Sequence, residues 1–166
     1  MLITTVILHI QLKSIPIRHV FFELQKISKI ILTFTTHIIP YNFMANTELK
    51  LDFCKITFGD NILIAELNEG ILLDVKQNRK LLEIGRKTFN NGPYGYISNR
   101  VNSYGVNPMV YLEAANTPTL KAIAVVTTNP VCRQNAILER QFYRDSNSFE
   151  IFKTLEEAIN WIKYKI

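Results

Sequence analysis

After Met44 the chain contains no histidine, since His9, His19 and His37 all precede it, and its two cysteines, Cys54 and Cys132, stand far apart. With no second cysteine or histidine at ligand spacing, zinc sites of the usual Cys/His kind and histidine-based acid–base catalysis are excluded from this part. A Gly-rich phosphate loop and a nucleophile elbow are also missing, and Gly92-Pro93-Tyr94-Gly95 reads as a turn entering a strand. Glu66, Glu69 and Asp74 supply carboxylates, but no spacing pairs them near a nucleophile. We therefore expect no enzyme, no metal and no cofactor. Two isolated cysteines fit reduced core thiols in a cytoplasmic protein, with Cys132 in the core.

Long apolar runs are scarce too. The longest in the first part, Ile27 to Ile39, is broken by Lys29 and His37 and falls short of the ~18 residues that a membrane span needs. No transmembrane segment is expected, and no signal peptide, because the apolar start precedes the basic residues and no small-residue cleavage site follows. Residues 1 to 43 also lack Gly, Ala and Asp and keep neither a helical nor an alternating period. We expect them to be a non-native extension translated upstream of a true start at Met44, with a peripheral membrane anchor as the competing account. Of the formal charge of +5, +3 lies before Met44, and no Lys/Arg cluster remains after it. No nucleic-acid partner is expected, because a binder concentrates its basic residues on one face.

From Ala45 the pattern is regular, and residues 44 to 166 read as one domain. Leu120 to Thr128 is a near-continuous run of small and β-branched residues closed by Asn129-Pro130, which reads as a strand buried on both faces and set inside a parallel sheet. Before it, Leu51 to Phe58 and Ile62 to Leu67 flank the turn signal Gly59-Asp60-Asn61 and make a hairpin. Asp74 caps a helix to about Thr88 that buries Val75, Leu81, Leu82 and Phe89. Tyr94 to Val101 is the next strand, and Asn107-Pro108 starts a short helix. Asn129-Pro130 repeats that device for a helix burying Val131, Leu138 and Phe142. A strand at Phe149 to Phe152 leads to the capping box Thr154-Leu155-Glu156-Glu157, opening a helix that buries Leu155, Ala158, Ile159, Ile162 and Ile166. The order β-β-α-β-α-β-α-β-α implies an α/β fold, a β-hairpin leading into a mainly parallel sheet with crossover helices.

The segments Tyr94-Gly95-Tyr96-Ile97-Ser98-Asn99-Arg100, Lys121 to Val126 and Phe149 to Trp161 resemble the STAS-type domains related to bacterial anti-sigma-factor antagonists. They are most similar to the small SpoIIAA-like proteins grouped with CRAL-TRIO-like lipid-binding folds. The resemblance covers residue 48 to the end and implies a cytoplasmic, bacterial, non-enzymatic regulatory module with a protein partner. The alternative it carries is a small lipid- or anion-binding carrier. In phosphorylation-controlled members a Ser or Thr follows the corresponding strand in an Asp-Ser-Ser-Gly-type motif. Here Ser98 and Ser103 offer hydroxyls as candidate phosphoacceptors, without that motif's acid and glycine.

In open α/β sheets the loops beyond the carboxyl ends of parallel strands face ligands. Those loops hold Asn99, Arg100, Ser103, Tyr104 and Asn129, the candidate partner- or ligand-binding residues. Two helix starts, near Pro108 and Pro130, are expected to aim free amides at the same place, with Arg100 as an exposed charge beside them.

Overall fold

Where Asp60 and Asn61 follow Gly59, both take left-handed φ values of 49° and 59°, the geometry of a tight turn whose twist matches its flanking strands. Around that hairpin the computed structural model describes residues 47–143 and 145–166; the expectations for residues 1 to 43 lie outside them. The elements in chain order are β1 (Thr47–Lys50), β2 (Cys54–Gly59), β3 (Ile62–Leu67), β4 (Leu72–Leu73), α1 (Val75–Thr88), β5 (Tyr94–Asn99), β6 (Gly105–Val106), α2 (Met109–Ala115), β7 (Leu120–Val126), α3 (Pro130–Arg140), β8 (Phe149–Phe152) and α4 (Leu155–Lys165).

Six strands form one sheet in the order β1-β2-β3-β5-β7-β8. The pairs β1/β2 and β2/β3 are antiparallel, and β3/β5, β5/β7 and β7/β8 are parallel. The fold is therefore α/β, with a hairpin leading into a mostly parallel sheet, as the sequence pattern implied. The single strand expected over Leu51 to Phe58 is corrected: the chain turns there, the Leu51 amide donating to the Cys54 carbonyl at 2.8 Å, and only Cys54 onward joins β2. Preceding residues run back along β2 as the edge strand β1. The two-residue strands β4 and β6 pair in parallel as a separate ribbon.

Alternation along each strand divides the core in two. Ile62 and Ile64 of β3, Ile97 of β5 and Ala122, Ala124 and Val126 of β7 face α4, where Ala158, Ile159 and Ile162 meet them. Leu63, Ala65 and Leu67, with Ile123 and Val125, face the opposite way against Leu81 of α1, Val110 and Tyr111 of α2 and Ala136 of α3. Strand β7 thus has buried residues on both faces, with only Lys121 exposed. Its alanines are small because α4 lies close. Gly95 of β5 serves the same need: a Cβ there would collide with the Ile162 side chain. On the other face a Cβ at Gly85 would fall 2.6 Å from the Tyr94 ring, which lies against α1.

Two helices turn differently from the expected stripes. In α1 the fully buried positions are Asn78, Leu81 and Gly85, with Val75, Leu82 and Phe89 only partly covered; Gly85 rotates inward to receive Tyr94. In α3 the correction is larger. Val131, Leu138 and Phe142 are 66%, 58% and 46% exposed, while Ala136, Glu139 and Tyr143 are buried and Cys132 is half-buried. Helix α4 buries Ala158, Ile159 and Ile162 of its expected stripe, while Leu155 is only partly covered and Ile166 is 37% exposed. Its Thr154–Glu157 capping box is formed.

Because Ile162 is fully buried against Gly95, Gly95→Ala should overpack this layer and lower stability by about 1–3 kcal/mol, read as a lower urea midpoint. An unchanged midpoint would mean that α4 does not depend on that close approach.

Candidate functional site

At the carboxyl ends of β5 and β7 lies an open cleft of about 430 Å³ whose lining includes Asn99, Ser103, Thr128, Asn129, Cys132 and Lys153. Several wall residues are held by hydrogen bonds to neighbouring side chains and backbone. The Asn99 amide donates to Glu66 Oε1 at 2.8 Å, and the Asn102 side chain donates to the Leu67 carbonyl at 2.8 Å. Ser103 gives its N–H to Glu69 Oε2 at 2.7 Å and accepts from the Gly70 N–H through its carbonyl at 2.7 Å. On the far wall Asn129 Oδ1 accepts from the amides of Val131 and Cys132 at 2.8 and 3.2 Å, satisfying two donors that a helix start leaves free.

Arg100 also touches this cleft, but its charge points elsewhere, which corrects the expectation of an exposed cation. The residue is only 8% exposed. Its Nη1 donates to Glu139 Oε1 at 3.1 Å and its Nη2 to Glu139 Oε2, a two-point fork from the loop after β5 to α3. Tyr111 of α2 adds its hydroxyl to Glu139 Oε2 at 2.5 Å, so one carboxylate gathers three donors. The guanidinium also sits over the Tyr104 ring, 5.3 Å from its centroid, and the Tyr104 hydroxyl is 2.5 Å from Ser98 Oγ. Burial opposes the Arg100 charge, yet the Tyr104 and Glu139 contacts outweigh it and hold the pKa above the usual arginine value. Burial pushes the Tyr104 and Tyr111 hydroxyls upward, so both stay protonated at neutral pH. The buried Cys54 thiol is pushed up to about 12 by burial, which leaves it inert as a nucleophile.

Four of the five candidate binding residues, Asn99, Arg100, Ser103 and Asn129, thus line one cleft, whereas Tyr104 lies beneath it. Of the two candidate phosphoacceptors, Ser98 is buried against Tyr104 and Ser103 is exposed. The two helix starts do not converge. Asn107 donates its side-chain amide to Asp74 Oδ1 at 2.8 Å, which ties the start of α2 to the start of α1 and leaves α3 alone to open on the cleft. Glu139 and Tyr111 escaped the sequence reading. The signal for Glu139 was the alternative face of α3, since Cys132, Ala136, Glu139 and Tyr143 recur at 4, 3 and 4 residues, a helical period as regular as the apolar one.

No family model matches the sequence, and no curated protein or solved structure matches it. None of these comparisons identifies a STAS family. Among the described residues there is no group of three or more His, Cys, Asp or Glu side chains able to hold a metal ion, and no helix long and apolar enough to cross a membrane.

Removing one member of a buried ion pair strands the other, at about 3–5 kcal/mol. Arg100→Ala and Glu139→Ala should each cost that much in a denaturant melt, and the double variant should cost clearly less than the two together. Additive losses would mean that the two side chains contribute independently.

Proposed function

We propose that the protein is a non-enzymatic regulatory module that binds a partner protein through the outer face of α3 and the adjoining cleft. The observation that carries this reading is the outward side of α3. Val131 and Leu138, seven residues apart, lie on one stripe of α3, Phe142 in the turn just after the helix continues it, and all three are exposed. Between Pro130 and Phe142 the other exposed side chains are Gln134, Asn135, Ile137 and Gln141, while the two basic ones, Arg133 and Arg140, are half-buried, Arg140 facing Glu150 at 3.6 Å. Helix α1, by contrast, exposes Lys76, Arg79, Lys80, Glu83, Arg86 and Lys87. Interface cores are depleted of charged residues and enriched in aromatic ones, and exposed apolar residues that line up mark contact sites more often than scattered ones do.

The same composition narrows the partner. An anionic lipid surface or a nucleic acid calls for a concentration of Lys and Arg on the contacting face, whereas the outer stripe of α3 offers hydrocarbon and amides, with Arg133 and Arg140 half-buried off the stripe and Lys153 on the cleft wall. A protein presenting an apolar surface fits it, with Val101, 64% exposed on the cleft wall, extending the contact toward Ser103 and Asn129. The alternative of a lipid carrier is less well supported. Ligand pockets enclose about 300–1,000 Å³; the apolar cavity between the sheet and helices α1 and α2 measures only about 30 Å³, and the cleft that does reach this size, about 430 Å³, is open to solvent and does not enclose a lipid chain. On this reading the protein acts in the cytoplasm, and Ser103 is the hydroxyl whose modification would alter the cleft.

The test is affinity capture followed by titration of the purified partner, with Leu138→Glu and Val131→Glu as probes. Neither side chain is buried, so stability should stay within about 0.5 kcal/mol of the parent, while affinity should fall tenfold or more, as for loss of a central interface residue costing about 2 kcal/mol. Equal affinity for both variants, or a stripe used only for self-association in sedimentation, would refute the assignment.

A further inference from the structure

The buried cluster around Arg100 leaves two polar atoms unaccounted for. Arg100 Nε and the Tyr96 hydroxyl are both shut off from solvent, and neither has a hydrogen-bond partner. Both residues line the same cavity of about 30 Å³ between the sheet and helices α1 and α2. Leaving a buried donor unpaired forfeits its hydration with nothing in return, and two such atoms at one cavity are a rare coincidence in a folded protein. We propose that this cavity is a built binding site for an ordered water that accepts from Arg100 Nε and bonds the Tyr96 hydroxyl.

Size, chemistry and charge each select that occupant. A cavity needs some 10–15 Å³ to hold a water, and one of about 150 Å³ is the scale that admits benzene, so about 30 Å³ suits water and excludes an organic ligand. Arg100 Nε is a donor only, whereas a tyrosine hydroxyl donates or accepts. The bridging species must therefore accept from the guanidinium, and water does so while keeping protons to give to Tyr96. A halide also accepts from both groups, but Glu139 already neutralises Arg100 through its fork. A second anion would leave a net negative charge in a dry interior, which is far more costly than a neutral molecule. The other polar residues of the lining, Asn78, Tyr94, Ser98, Tyr104 and Tyr111, are already engaged: Asn78 donates to the Val110 carbonyl and Tyr94 to that of Leu82, Ser98 pairs with Tyr104, and Tyr111 donates to Glu139.

The site also completes the anchoring of the loop that follows β5. With the water in place, the Nη atoms of Arg100 hold α3, its plane lies over Tyr104 and its Nε is tied through the water to Tyr96, four residues earlier in the chain. The site is independent of the choice of partner, because it lies between the sheet and helices α1 and α2 and not on the outer stripe of α3.

Tyr96→Phe in the full chain distinguishes the cases by sign. A water-bridged hydroxyl contributes to folding, so its removal should raise the unfolding equilibrium constant about two- to tenfold. A dry, unpaired hydroxyl is a burden, and its removal should lower that constant. No change, or a fall, would overturn the proposal. A crystal structure of the parent grown with bromide supplies the independent measurement. The expected result is an electron-density peak about 2.7–3.2 Å from both atoms without anomalous signal. An anomalous bromide peak, or no density at that position, would equally overturn it.

Discussion

The buried fork between Arg100 and Glu139 decides how the outer half of this structure is arranged. Arg100 leaves β5 at the carboxyl end of the sheet, where its amide donates to the Val126 carbonyl at 2.9 Å. Its side chain then turns under α3 instead of out to solvent. A guanidinium buried to that degree requires a carboxylate in a matching geometry, and Glu139 supplies it only if α3 presents its Ala136 and Glu139 face inward. Val131, Leu138 and Phe142 are consequently turned outward. One ion pair thus links the sheet, the cleft wall and the exposed stripe, and the surface most suited to a partner follows from the least soluble group's need for a counter-charge.

The opposite face of the sheet is built on a different constraint, that of space. Gly95, Ala122 and Ala124 keep the surface beneath α4 shallow, and Ile162 fills what they leave. Interiors pack as densely as organic crystals, so the buried side of α4 is held by fit, while Lys163 on its outer side pairs with Asp60 of the β2–β3 turn at 2.8 Å. A close-packed apolar layer under α4 and a larger apolar core on the other face, bordered by the buried Arg100–Glu139–Tyr111 cluster, give the sheet two unlike sides.

Much of the fold was legible because its signals are local. The Gly59-Asp60-Asn61 turn, the caps at Asp74, Asn129 and Thr154, and the continuous apolar run of β7 each state their conformation within a few residues. The cleft was legible for a related reason: loops at strand ends lie together once the sheet is parallel, which brings Asn99, Ser103 and Asn129 to one place. The orientation of α3 was not. Two faces of that helix have an equally good period, and hydrophobicity alone favours burying valine, leucine and phenylalanine over alanine and glutamate. The choice is made by Arg100, 39 residues earlier, and by Tyr111, so it depends on tertiary contacts that no window of sequence contains. Arg100 was misplaced with it, since an arginine in a polar loop reads as solvated until its partner is seen.

The claim on which the account rests is that α3 turns its apolar stripe to solvent, and thiol accessibility tests it most directly. In a Cys132→Ser background, Leu138→Cys and Ala136→Cys should be labelled under native conditions with a water-soluble maleimide, with buried Cys54 as the protected reference. The account predicts that the thiol at 138 reacts about as fast as a free thiol, and that the one at 136 stays as protected as Cys54. A protected thiol at 138 with rapid labelling at 136 would show the stripe facing the core and contradict both the Arg100–Glu139 fork and the surface derived from it.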